Sequence, residues 1–145
     1  QVNVGNLFGE SSSEIQIRPA TIATAAGNND DYVIAPISGQ LCEIDFSGVD
    51  ALAASDTNYI TWTIINLGQS GTGSAVMLAT TPAGINTTKA TGGTAIAANA
   101  KYALTLSFAV NAAEVVRGDR LRIRAAVTGT LANTVTFPTY ILRFK

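Results

Sequence analysis

The sequence predicts an all-β protein: an antiparallel β-sandwich of about eight strands in jelly-roll order, preceded by an extended N-terminal arm. Three observations lead there. Apolar and polar residues alternate with a period of two, as in Ile60, Trp62 and Ile64, or in Tyr102, Leu104, Leu106, Phe108 and Val110. Gly, Asn and Pro clusters interrupt that alternation about every 8–15 residues. No helical period persists beyond one or two turns. An immunoglobulin-like sandwich is the second choice, disfavoured because that arrangement needs two cysteines flanking a Trp, and Cys42 stands alone.

Taken in order, residues 1 to about 14 are polar and rich in Gly and Ser, without a sustained period. They read as an arm, either frayed or ordered by a partner, with Val2, Val4, Leu7 and Phe8 as its apolar contacts. Ile15 and Ile17 make a first short strand that Pro19 stops. The arm and this strand are assigned to residues 1–27 and the sandwich to residues 28–145. Gly27-Asn28-Asn29-Asp30-Asp31 is a turn signal. Tyr32 to Ala35 follows as a strand, then Leu41 to Phe46, with Cys42, Ile44 and Phe46 on one face and Glu43 and Asp45 on the other. On that pattern Cys42 is a buried, inert thiol. Ala51 to Asp56 is short enough for a single helical turn.

Tyr59 to Leu67 is the clearest central strand, its β-branched content suiting a pleated surface. Gly68 to Gly73 connects it to Ala75–Ala79, and residues 80–94 form a loop around Pro82. A long strand is expected over residues 102–110, with Phe108 on its core face. Val115-Val116 precedes the Gly118-Asp119 turn. Arg120 to Val127, a short Val135–Phe137 run broken by Pro138, and Thr139 to Phe144 complete the set. Ala51-Leu52-Ala53-Ala54-Ser55 and Ala95-Ile96-Ala97-Ala98-Asn99 echo one another ahead of the two long strands, as similar corners or by chance.

Composition limits the chemistry. The 145 residues contain no histidine, which removes the usual general base near neutral pH and the commonest zinc ligand. A Ser-His-Asp triad, a Cys-His dyad and a His-ligated metal are excluded. Hydrophobic residues at 47% exclude a disordered chain. Charged residues at 13% are about half the usual share, which suits a surface covered by neighbours. A net charge of −1 gives no long-range pull toward nucleic acid or an anionic membrane, and no apolar run is long enough to span a bilayer. Gln1 in first place implies removal of an initiator Met or of a longer leader. The expectation is a structural or binding protein with no catalytic residue, cofactor or metal.

Several motifs are weak. Gly68–Gly73 lacks the Lys-Ser/Thr ending and following helix of a phosphate loop. Arg117-Gly118-Asp119 spells an integrin-type tripeptide, but Gly118-Asp119 also fits a turn. Asn86-Thr87-Thr88 is a glycosylation sequon. Glu43 and Asp45 project together from one strand, and Asp30, Asp31, Asp50 and Asp56 sit in loops without calcium-loop spacing, so a solvated acidic surface is expected. The basic residues are more pointed. Arg120, Arg122 and Arg124 alternate on one strand face, and Arg143 and Lys145 on another, opposite apolar neighbours. If the two strands were neighbours, these five would form one basic stripe, a candidate interface with shell or sister subunits.

From Tyr32 to Phe144 the chain resembles the small β-sandwich capsid decoration (head auxiliary or cement) proteins of tailed bacteriophages. The likeness is carried by Val33-Ile34-Ala35-Pro36-Ile37-Ser38-Gly39, Asp56-Thr57-Asn58-Tyr59-Ile60-Thr61-Trp62, Gly118-Asp119-Arg120-Leu121-Arg122 and Leu131-Ala132-Asn133-Thr134-Val135. It implies a homo-oligomer, often a homotrimer, made in the host cytoplasm and bound to the major capsid protein on the virion exterior. Tail-fibre and spike modules share the Thr/Ala/Gly-rich style, so receptor or glycan binding is the alternative.

Overall fold

The structure, a computed structural model, describes residues 12–82 and 84–145, and none of these is helical. The strands are β1 (Ser13–Ile17), β2 (Gly27–Ile34), β3 (Gly39–Ser47), β4 (Tyr59–Asn66), β5 (Ala75–Val76), β6 (Tyr102–Leu104), β7 (Glu114–Val115), β8 (Arg120–Thr128) and β9 (Thr139–Phe144). One sheet has the order β1-β9-β3-β6, with β7 paired to the start of β3, and the other β2-β8-β4-β5. Every pairing is antiparallel. With β7 set aside, the partners nest from the outside inward: β1 with β9, β2 with β8, β3 with β6, β4 with β5. Strands β8 and β9 follow one another in sequence yet lie in different sheets.

The two sheets meet face to face, because each inward face is apolar. Ile60, Trp62 and Ile64 of β4 and Leu121, Ile123, Ala125 and Val127 of β8 line one side. Leu41, Ile44 and Phe46 of β3 and Tyr140, Leu142 and Phe144 of β9 line the other. The Phe46 and Trp62 rings, from opposite sheets, lie 5.1 Å apart, and Phe46 and Tyr140 5.3 Å apart. Trp62 Nε1 donates to the Tyr140 hydroxyl at 3.1 Å, so the largest core side chain is satisfied across the sandwich. Each such fully buried large side chain contributes about 1.5–3 kcal/mol.

Several expectations change. Residues 27–31 are not a turn: they begin β2 and pair with β8 from Gly27 opposite Val127. A full backbone ladder outweighs local turn preference there, and the boundary expected at residue 28 falls inside a strand. β1 pairs with β9 from Ser13 to Ile17 and Ile22 is buried in the core, so residues 13–27 belong to the sandwich. The remainder of the expected arm, with Val2, Val4, Leu7 and Phe8, lies outside the described residues.

Cys42 is exposed, not buried. The register between β3 and β9 shifts between Leu41 and Glu43, so a bulge adds Cys42 as an extra residue and turns it outward. The long strand expected over residues 102–110 stops at Leu104. Beyond it Leu106 makes an isolated bridge to Leu78, and Phe108 and Val110 stand 80% and 90% exposed. Residues 51–56 are not helical. Leu52 instead exchanges two 2.9 Å backbone hydrogen bonds with Ile96, so the two echoing Ala-rich segments pair with each other.

Candidate interaction surfaces

The outer face of the β2-β8-β4-β5 sheet carries Arg120, Arg122 and Arg124 along its central strand. Asp30 lies opposite Arg124 and receives a bidentate pair, Nε to Oδ1 at 2.7 Å and Nη2 to Oδ2 at 2.8 Å. That hydrogen-bonded pair holds the Asp30 carboxyl below its ordinary range and raises Arg124. Arg120 stacks its guanidinium 4.4 Å from the Tyr32 ring centre. Arg122 sits between them, in register with Tyr32 and Ile65, and its Nε is buried without a hydrogen-bond partner.

The outer face of the other sheet is mixed in charge. Arg143 reaches Glu43 at 3.1 Å and Glu14 at 3.8 Å, and Lys101 lies 3.9 Å from both Glu43 and Asp45. Partial burial raises the Asp45 carboxyl above its ordinary value. Lys145 follows β9, its backbone N–H donating to the Gln40 carbonyl at 2.9 Å. The five basic residues therefore do not form one stripe. Arg120, Arg122 and Arg124 point from one sheet and Arg143 from the other, in opposite directions, because the nested pairing separates β8 from β9. Exposed pairs of this kind contribute about 0–1 kcal/mol each.

The loop acids tie the backbone. Asp50 accepts from the Thr136 N–H at 2.8 Å and from the Thr136 hydroxyl, and Asp56 accepts from the Thr91 N–H at 2.7 Å. These bonds lower both carboxyls. No group of three or more Cys, Asp or Glu side chains suited to a metal ion occurs among the described residues. The Arg117-Gly118-Asp119 tripeptide turns its acid inward: Asp119 Oδ2 accepts from the Val116 N–H at 2.8 Å and from Asn66 Nδ2 at 3.0 Å. Gly118 at φ 97° supplies the backbone this turn needs. Asn86 of the sequon is buried, its Nδ2 donating to Ala79 and Thr105 carbonyls at 2.9 Å and its Oδ1 accepting from the Thr105 N–H at 2.6 Å. Its amide is not available to a modifying enzyme in the folded chain.

The periodicity gave no sign of the apolar ends. Register places Phe108 beyond the Leu41/Phe144 end of the sandwich and Phe137 beyond the Phe46/Tyr140 end. Phe137 is 79% exposed and holds φ at 47°, uncommon for a bulky residue. Beside it Arg18, Pro19, Pro138 and Thr139 line a cleft of about 170 Å³. The sequence signals that could have found them are Pro138, directly after Phe137, and Asn111, a residue of turn type directly after Val110. Comparison with known proteins finds no matching family model, no matching curated protein and no matching solved structure.

Proposed function

We propose that this chain is a structural virion protein that binds the outside of a bacteriophage capsid and stabilises the shell. The observation that carries the reading is the pair of exposed aromatic ends, Phe108 at one and Phe137 at the other. Large apolar side chains held in water on a rigid sandwich suit a protein whose surface is covered on assembly. The nested order of eight strands supports a jelly roll as the finer architecture. The low charge content fits burial among neighbours, and the reading names the major capsid protein as partner, a homo-oligomer as the working form, and no catalysis.

A second reading, a tail-fibre or spike module for a host receptor or glycan, draws on one observation. Phe137 projects beside the Arg18 cleft, as an aromatic platform for a sugar would. The test is to mix the purified chain with expanded, undecorated heads, image them by electron cryomicroscopy, and probe a glycan array in parallel. Regular density on the outer surface and a higher rupture temperature are expected. Bare heads would overturn the capsid reading, and a clear array hit would put the second in its place.

A further inference from the structure

We infer that the end of the sandwich bearing Phe108 is a self-association surface, whose partner is a second copy of this chain. Three connections meet at this end: residues 35–38, 67–74 and 105–119. Backbone bonds hold them together. The Ser107 N–H donates to the Met77 carbonyl at 2.8 Å, which sets Phe108 beside Val76. The Leu41 N–H donates to the Ala113 carbonyl at 2.9 Å and anchors the far limb of the 105–119 connection. The Gly118 N–H donates to the Ala35 carbonyl at 3.0 Å, which brings the Val116 turn against the end of β2 and Ile34.

The resulting surface presents Phe108, Val110 and Val116, the last 56% exposed. It continues onto the rim of the adjoining sheet face at Ile34, 51% exposed and in register with Arg120, and at Val76, 40% exposed and in register with Ile65. Together they offer on the order of 500 Å² of apolar area. One side of a standard interface covers about 800 Å², of which roughly 60% is apolar, so the patch is the size that one partner needs. Its charge selects the partner. Glu114 and Arg117 flank Val115 and Val116, are exposed, and form no ion pair among the described residues. Arg120, in register with Ile34, is held over the Tyr32 ring. That leaves Glu114 and Arg117 beside the apolar centre as an acid and a base without side-chain partners among the described residues. Such a pair is complementary to itself, Glu114 of one copy meeting Arg117 of the next. A strongly charged partner would leave one of the two facing a like charge.

The test is sedimentation of the full chain from about 1 to about 100 μM, with no capsid present, so that its result is separate from particle binding. Concentration-dependent association is expected. Phe108→Ser combined with Val110→Ser changes only exposed positions and is expected to weaken association at least ~100-fold. Phe137→Ser, at the opposite end, is expected to leave it unchanged. Glu114→Arg weakens association, and adding Arg117→Glu recovers it. A chain that remains monomeric throughout, or association that survives loss of Phe108 and Val110, overturns the proposal. A double charge reversal no better than the single one overturns the self-complementary pairing.

Discussion

Replacing Tyr140 with Phe tests how the core is held across its two sheets. The Tyr140 hydroxyl accepts the Trp62 Nε1 hydrogen bond at 3.1 Å, and both residues are 1% exposed. Burial pushes the Tyr140 hydroxyl well above its ordinary pKa, so it stays protonated and remains an acceptor throughout the usual working range. The substitution keeps the ring against Phe46 and deletes one oxygen. What remains is an indole N–H in an apolar interior, and an unpaired buried donor costs about 1–3 kcal/mol. For a domain of this length each kcal/mol shifts the melting temperature by about 3–4 °C, so a fall of roughly 3–12 °C is expected by calorimetry. In a Trp62→Phe background the donor is already gone, and Tyr140→Phe should cost less by about 1 kcal/mol. A melting temperature within about 1 °C of the parent would refute the reasoning, since the indole would then have found water or another acceptor.

Two further outcomes follow from single side chains. Cys42, outside the core, should react with a maleimide in the native protein within minutes and without denaturant; labelling that needs unfolding would contradict the bulge. Asp31 sits on the inward side of β2 opposite Ile123, where burial first and Asp30 second raise its carboxyl above 3.8. A raised carboxyl contributes stability that is present below the unfolded pKa and lost as pH rises through the folded value. Asp31→Asn should therefore melt higher than the parent at pH 7, with the gain disappearing below about pH 4. A difference that does not change with pH would exclude this origin.

The legible part of the fold was whatever strand periodicity controls. Ile60, Trp62 and Ile64, or Leu121, Ile123 and Ala125, alternate because one face of each strand is buried, and the structure buries those faces. Alternation fails where a local event changes which side a residue faces. Cys42 keeps the spacing of Ile44 and Phe46, but one extra residue in the ladder turns it outward. Phe108 and Val110 continue the phase of Tyr102 and Leu104, yet after Leu106 bridges Leu78 no ladder partner extends that far. Residues 27–31 carry turn chemistry, and only pairing with a strand almost a hundred residues later overrides it. The candidate site suffered most. Whether β8 and β9 share a sheet is a matter of long-range order, which periodicity does not encode, and the basic stripe depended on it.

That long-range order also bears on the association proposed at the ends. The sheet faces satisfy much of their own charge: Arg124 with Asp30, Arg143 with Glu43 and Glu14, Lys101 with Glu43 and Asp45, and Arg120 over Tyr32. Open strand edges invite unwanted pairing, and here they are blunted. At one side β5 and β6 are short, and Met77 to Ala79 bonds to Thr105 and Ser107, stitching the sheets together. At the other, Pro19 follows β1 and the adjacent acids Asp30 and Asp31 sit on β2. The two ends differ: each bears an aromatic ring in water, Phe108 with the exposed Glu114 and Arg117 at the same end and Phe137 beside Arg18, and none of these charges is in an ion pair among the described residues. A partner docking on a face must break ion pairs before it gains anything, whereas a partner at an end gains apolar burial at once. At roughly 25 cal/mol per Å², about 500 Å² of such burial outweighs what any single exposed ion pair on the faces offers.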